Sequence, residues 1–132
     1  MAKHVVAPAA DVPPGAHLRV EAGGVPVAIF NLDGEYFGLL DRCPHMGGNL
    51  SEGVVIGLVE SPKPGCYAYS RVGEIVRCPW HGWEFDIRTG QSRFDPDRWK
   101  TRSLEVEVED AQSLKAETIE VAQEGEYIVV NL

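Results

Sequence analysis

Two short stretches, Cys43-Pro44-His45 and Cys78-Pro79-Trp80-His81, constrain this chain more than anything else in it. Each supplies one thiol and one imidazole, in the pattern C-x-H…C-x-x-H. For the four donors to act together, the scaffold must bring two loops of distant sequence into register. Glu35 to Leu40 (EYFGLL) reads as a strand delivering the chain into Cys43, and Glu74 to Arg77 (EIVR) as one feeding Cys78.

The remaining sequence reads as short strands with Gly/Pro punctuation. His4 to Ala7 and His17 to Glu21 are strands separated by the turn material Asp11-Val12-Pro13-Pro14-Gly15. Val25 to Asn31 is a β-branched run between a Gly23-Gly24 turn and the hairpin signal Asp33-Gly34. The stretch from about Gly53 to Gly73 reads as irregular. Trp83 to Ile87 alternates as a strand, and Phe94 to Trp99 is a loop with some helical character. In Ser103 to Glu109 the pattern places Leu104, Val106 and Val108 inward and Glu105, Glu107 and Glu109 in water. Ala116 to Val121 and Glu126 to Val130 read as a closing hairpin through Glu124-Gly125, and only Ala111 to Ala116 competes as helix. The class is all-β.

The contexts CPHMGGNL (43–50) and CPWHGWEFDIRTG (78–90) resemble the Rieske iron–sulfur proteins, and the second is similar to the form found in ferredoxins and oxygenases of aromatic-ring-hydroxylating systems. The resemblance implies an antiparallel β-sandwich or barrel base, residues 1–42 and 100–132, with an inserted cluster-binding subdomain, 43–95, in a single domain. It implies one [2Fe–2S] cluster per chain, with Cys43 and Cys78 on the inner iron and His45 and His81 on the outer. The Phe94-Asp95-Pro96 segment would be the proline-containing loop that covers it, and Gly47, Gly48 and Gly82 would let backbone N–H groups approach the sulfurs.

The donor set has an electrostatic consequence. Two ferric irons and two sulfides sum to a double positive charge, which two thiolates and two neutral imidazoles cancel. Four thiolates would leave a dianion, which resists reduction. Rieske potentials accordingly span roughly −150 to +300 mV, against about −400 mV for plant-type ferredoxins. The high-potential members carry an extra loop disulfide and Ser and Tyr hydroxyls at the cluster. Here the matching positions are Gly48 and Trp80, and Trp83 and Phe85, so a potential at the low end is expected. Two Cys and two His would also satisfy a structural zinc site, but zinc motifs pair Cys with Cys and His with His, whereas each loop here mixes the two. The 32 residues between His45 and Cys78 exceed what compact ferredoxins of the family have. The excess is placed at 57–73, with Cys66 as a bystander thiol.

Three functions follow from the resemblance. The first is a one-electron carrier between a flavin-dependent reductase and a terminal oxygenase, not itself an enzyme. The second is an oxygenase, which also needs a mononuclear iron on two His and a carboxylate. Only His4 and His17 are left for that. The third is a small subunit of another oxidoreductase, such as a nitrite-reductase-like complex. The net charge of −8 disfavours nucleic acid and anionic membranes and favours partners with basic docking faces. No apolar run approaches spanning length, the N-terminus does not read as a secretory signal, and Cys66 lacks a disulfide partner, which suits a cytoplasmic protein.

Overall fold

The structure is a computed structural model that describes residues 3–44, 47–79, 82–117, 119, 121 and 125–132. Within 58–63 and 66–72 it describes the backbone alone. The described residues form two antiparallel sheets. The first has six strands in the order β1-β9-β8-β4-β3-β2: β1 (Lys3–Pro8), β2 (His17–Ala22), β3 (Val25–Leu32), β4 (Glu35–Leu40), β8 (Ser103–Asp110) and β9 (Glu126–Asn131). Its edges β1 and β2 approach each other, so the sheet is a nearly closed barrel. The second has three strands in the order β5-β6-β7: β5 (Val54–Lys63), β6 (Cys66–Arg77) and β7 (Glu84–Asp86). The one α-helix among the described residues, α1 (Ala111–Ala116), is capped by Asp110, whose Oδ1 accepts from the Ser113 N–H at 2.7 Å. Among the described residues, no helix is long and apolar enough to cross a membrane.

Strand β3 explains how one chain carries two layers. Its residues from Val27 to Leu32 are all buried, because both faces are covered. Val27 and Ile29 enter the barrel core with Val12, Ala22, Leu104, Ile128 and Val130. Ala28, Phe30 and Leu32 point the other way, into a second core with Leu39, Cys43, Leu50, Val76, Cys78, Phe85 and Ile87. Period-two geometry divides one continuous apolar run between two cores. Burying a side chain such as Ile29 or Phe30 stabilises the fold by about 1.5–3 kcal/mol. The predicted turns are present, with Ala22 opposite Val25 and Leu32 opposite Glu35.

Four expectations need correction. The stretch read as irregular is a long β5–β6 ribbon, turning at Pro64-Gly65 with Lys63 opposite Cys66. Register shifts between Ile56 and Leu58 and between Glu60 and Lys63 absorb the Gly57 and Ser61-Pro62 irregularities, which a linear reading takes as loop signals. Ala116 to Val121 is not a strand in its described residues: Ile119 N donates to Leu114 O, so the helix end takes up the donor a ladder would need. Glu124, the other half of the expected turn, lies outside the described residues, and β9 pairs with β8 and β1 instead. Phe94 to Trp99 holds one turn, Asp95 O accepting from Arg98 N and Trp99 N, and no helix. On β8, Glu109 is not in water: its side chain is 17% exposed and lies 2.8 Å from Lys3 Nζ.

Candidate metal centre

Strand β4 runs into Cys43 and strand β6 into Cys78, so the loops are anchored on different sheets. Their backbones fold alike. Cys43 N donates to Gly48 O and Cys78 N to Trp83 O, each at 2.7 Å and each closing a loop from residue i to i+5. The fourth residue after each cysteine is a glycine in the left-handed region, Gly47 at φ +79° and Gly82 at +69°, where a Cβ would be strained. Pro44 and Pro79 occupy the second position of both. The equivalence is legible as the repeated R-C-P-x-x-G, with Arg42 and Arg77 as first residues.

Cys43 and Cys78 are each 1% exposed and belong to the same buried cluster. Two thiols from distant sequence in one apolar core, each on a loop of matching shape, are the donor pair one iron of the predicted site requires. The described half of the donor set therefore fits. His45, Trp80 and His81 lie outside the described residues.

Residues that sequence reasoning missed hold the first loop. Asp41, whose side chain is fully buried, accepts from Arg19 Nη1 at 2.7 Å and from Ser51 twice, from the backbone N–H at 2.7 Å and the hydroxyl at 2.6 Å. It thus ties the loop's entry to its exit. Thr101 Oγ1 lies 3.1 Å from Leu40 O, the end of the entry strand, and 3.2 Å from Arg42 O, just before Cys43. No local pattern announces these contacts, which join residues 10 to 61 positions apart. An Asp41→Ala protein should lose about 2–4 kcal/mol of stability, because it strands the Ser51 N–H and unpairs Arg19. Urea unfolding should show a lower midpoint with an unchanged slope; an unchanged midpoint would remove Asp41 from this role.

The second loop is braced by charge. Glu84 opposes Arg77 across the β6–β7 ladder and accepts from Arg77 Nη2 at 2.8 Å and from Arg93 Nη1 at 2.7 Å. Burial pushes its carboxyl upward, but the two guanidiniums outweigh that and hold it below the usual glutamate range. Trp83 meets Phe94 and Trp99 edge-on, with centroids 5.7 and 5.3 Å apart. Phe85, in contrast, is fully buried in the cysteine core. A groove of about 450 Å³, lined by Asn31, Asp33, Glu74 and Arg88 among others, includes no residue of either loop.

Compared with known proteins, residues 2–105 match the model of the Rieske [2Fe-2S] domain. The chain belongs to this family. Its cofactor is accordingly a Rieske [2Fe–2S] cluster. The chain is 37% identical over 86 residues to the biphenyl dioxygenase ferredoxin subunit of Pseudomonas sp. (strain KKS102), a match spanning 65% of each protein. Among solved structures, it superposes with a TM-score of 0.62 and 26% identity on a chain of the complex of reduced oxygenase and oxidised ferredoxin in carbazole 1,9a-dioxygenase, covering 97% of this chain and 92% of that one. The ferredoxin of carbazole 1,9a-dioxygenase from Nocardioides aromaticivorans IC177 shares the fold, with a TM-score of 0.67 at 19% identity over the full length of both.

Proposed function

We propose that this Rieske protein is a one-electron carrier, a ferredoxin passing electrons from a flavin-dependent reductase to a terminal oxygenase in the cytoplasm. Cys43 and Cys78 would hold one iron, His45 and His81 the other, within a subdomain spanning 43–95 on a base of 1–42 and 100–132. When bound, the cluster accepts and releases a single electron. The observation that carries this reading is the pair of matching loops, which bury Cys43 and Cys78 in one core. The likeness to dioxygenase ferredoxins supports the choice of partners.

The remaining histidines speak against an oxygenase. The His17 ring stacks on Phe30 with centroids 5.6 Å apart, and the His4 ring packs against Gly23 at a β-turn. They sit on β2 and β1 and serve packing.

Film voltammetry against pH tests the reading. The hydroxyls fastened to the first loop are committed elsewhere, Ser51 to Asp41 and Thr101 to backbone carbonyls. The expected result is one reversible one-electron wave near the bottom of the roughly −150 to +300 mV Rieske range, flat through neutral pH. A high, pH-dependent wave would mark a respiratory-type donor instead. No wave, with zinc in the sample, would overturn the cluster assignment.

A further inference from the structure

The charge of −8 is unevenly distributed. Residues 42–102 contain 9 of the 12 basic and 7 of the 20 acidic residues, leaving 3 basic and 13 acidic for the rest. The stretch carrying the loops is therefore +2, and the remainder, which forms most of the barrel, is −10. The structure places part of the positive charge beside the loops. Arg42 is exposed, with Nε 3.8 Å from where a Cβ on Gly47 would stand. Arg77 is half-exposed, with its Cδ 3.9 Å from the corresponding point on Gly82, and shares Glu84 with Arg93, so these three groups together leave one positive charge. A groove of about 370 Å³ runs from Gly82, Trp83 and Glu84 to Ser92, Arg93 and Phe94; Glu84 pairs with Arg93 within it, and Phe94 is 68% exposed on its rim. Beyond it, the exposed Arg98, Lys100 and Arg102 outnumber Asp95 and Asp97.

We infer that the face beside the cluster loops receives an acidic docking face of a redox protein, although the chain as a whole is an anion. This rests on the electron-carrier reading and names the partner surface for it. A molecule with an anionic base and a cationic working end is an electric dipole. A partner with acidic groups around its redox centre is turned toward the loops by that dipole, whereas a basic partner is drawn to the barrel, away from them.

Stopped-flow oxidation of the dithionite-reduced holoprotein tests this with small probes. Ferricyanide takes one electron from the protein and becomes ferrocyanide, and hexaammineruthenium(III) is the cationic counterpart. The ferricyanide rate should fall roughly three- to tenfold from low to high salt, despite the net charge. An Arg42→Gln/Arg98→Gln double variant should slow ferricyanide severalfold at low salt and leave the ruthenium rate unchanged or faster. Lys115→Gln, on α1, should track the wild type. A ferricyanide rate that rises with salt, or a double variant indistinguishable from wild type, would overturn the inference and leave the carrier reading intact. Protein purified with no iron–sulfur absorbance would overturn both.

Discussion

Cys43→Ser and Cys78→Ser proteins should each be purified with less than about a tenth of the wild-type iron and without the visible absorbance of the holoprotein, yet with the same far-UV circular dichroism. The loss follows from ligand count. One iron of a Rieske cluster has only two protein donors, both thiolates, and a serine hydroxyl is far harder to ionise and much harder as a ligand. With Cys43 and Cys78 as the proposed pair, either substitution would leave that iron with a single donor. Retention of secondary structure follows from how β3 divides the interior. The cysteines belong to the core built on Ala28, Phe30 and Leu32, and the barrel core built on Val27 and Ile29 contains neither. Exchanging a thiol for a hydroxyl inside an apolar core costs about 1–3 kcal/mol, enough to loosen the loop layer without unfolding the six-stranded sheet. Iron and far-UV spectra read the two effects separately. A variant that keeps its full iron would show that the substituted cysteine is not a ligand.

What the sequence disclosed and what it concealed divide along the same line. Strands β1 to β4, β8 and β9 and both cysteine loops were readable because their signals are local: alternation, Asp33-Gly34, and the C-x-H…C-x-x-H pattern. The β5–β6 ribbon, apart from Glu74 to Arg77 at its end, was not readable, because Gly57, Pro62, Pro64 and Gly73 look like loop residues unless the opposite strand is known to bulge around them. Glu109 looked wet because Lys3, 106 positions away, cannot be paired with it by periodicity. The candidate site shows the same limit. The cysteines are chosen by motif, but the groups that fix their loops, Asp41 on Ser51 and Thr101 on Leu40, are ordinary surface residue types buried by the fold. The distribution of charge was present in the sequence throughout. It acquired meaning once the sheets separated the barrel from the loop-bearing ribbon.

Gly53 is the position where this tertiary layer should be most sensitive. Its backbone, φ −78° and ψ 176°, is open to any residue, so conformational preference does not explain a glycine there. Space does. A Cβ would run into the carbonyl oxygen of Arg77 and stand 3.1 Å from both the Arg77 carbonyl carbon and Leu50 O. Val54 pairs with Arg77, and Cys78 follows directly. The exit of the first loop is thus pressed against the entry of the second. Backbone cannot swing aside as a side-chain tip can, and the neighbouring core is already filled. Gly53→Ala should therefore cost about 3 kcal/mol and shift the loops relative to each other. Iron release to a chelator should be faster, and the cluster's electron paramagnetic resonance spectrum broader. Gly24→Ala is the matched control. It sits at φ +83° with nothing within 4 Å of the added carbon, so it bears only left-handed strain, about 1–2 kcal/mol, and should leave iron release and spectrum unchanged. If the two variants lose equal stability and release iron at equal rates, contact between Gly53 and Arg77 does not couple the loops.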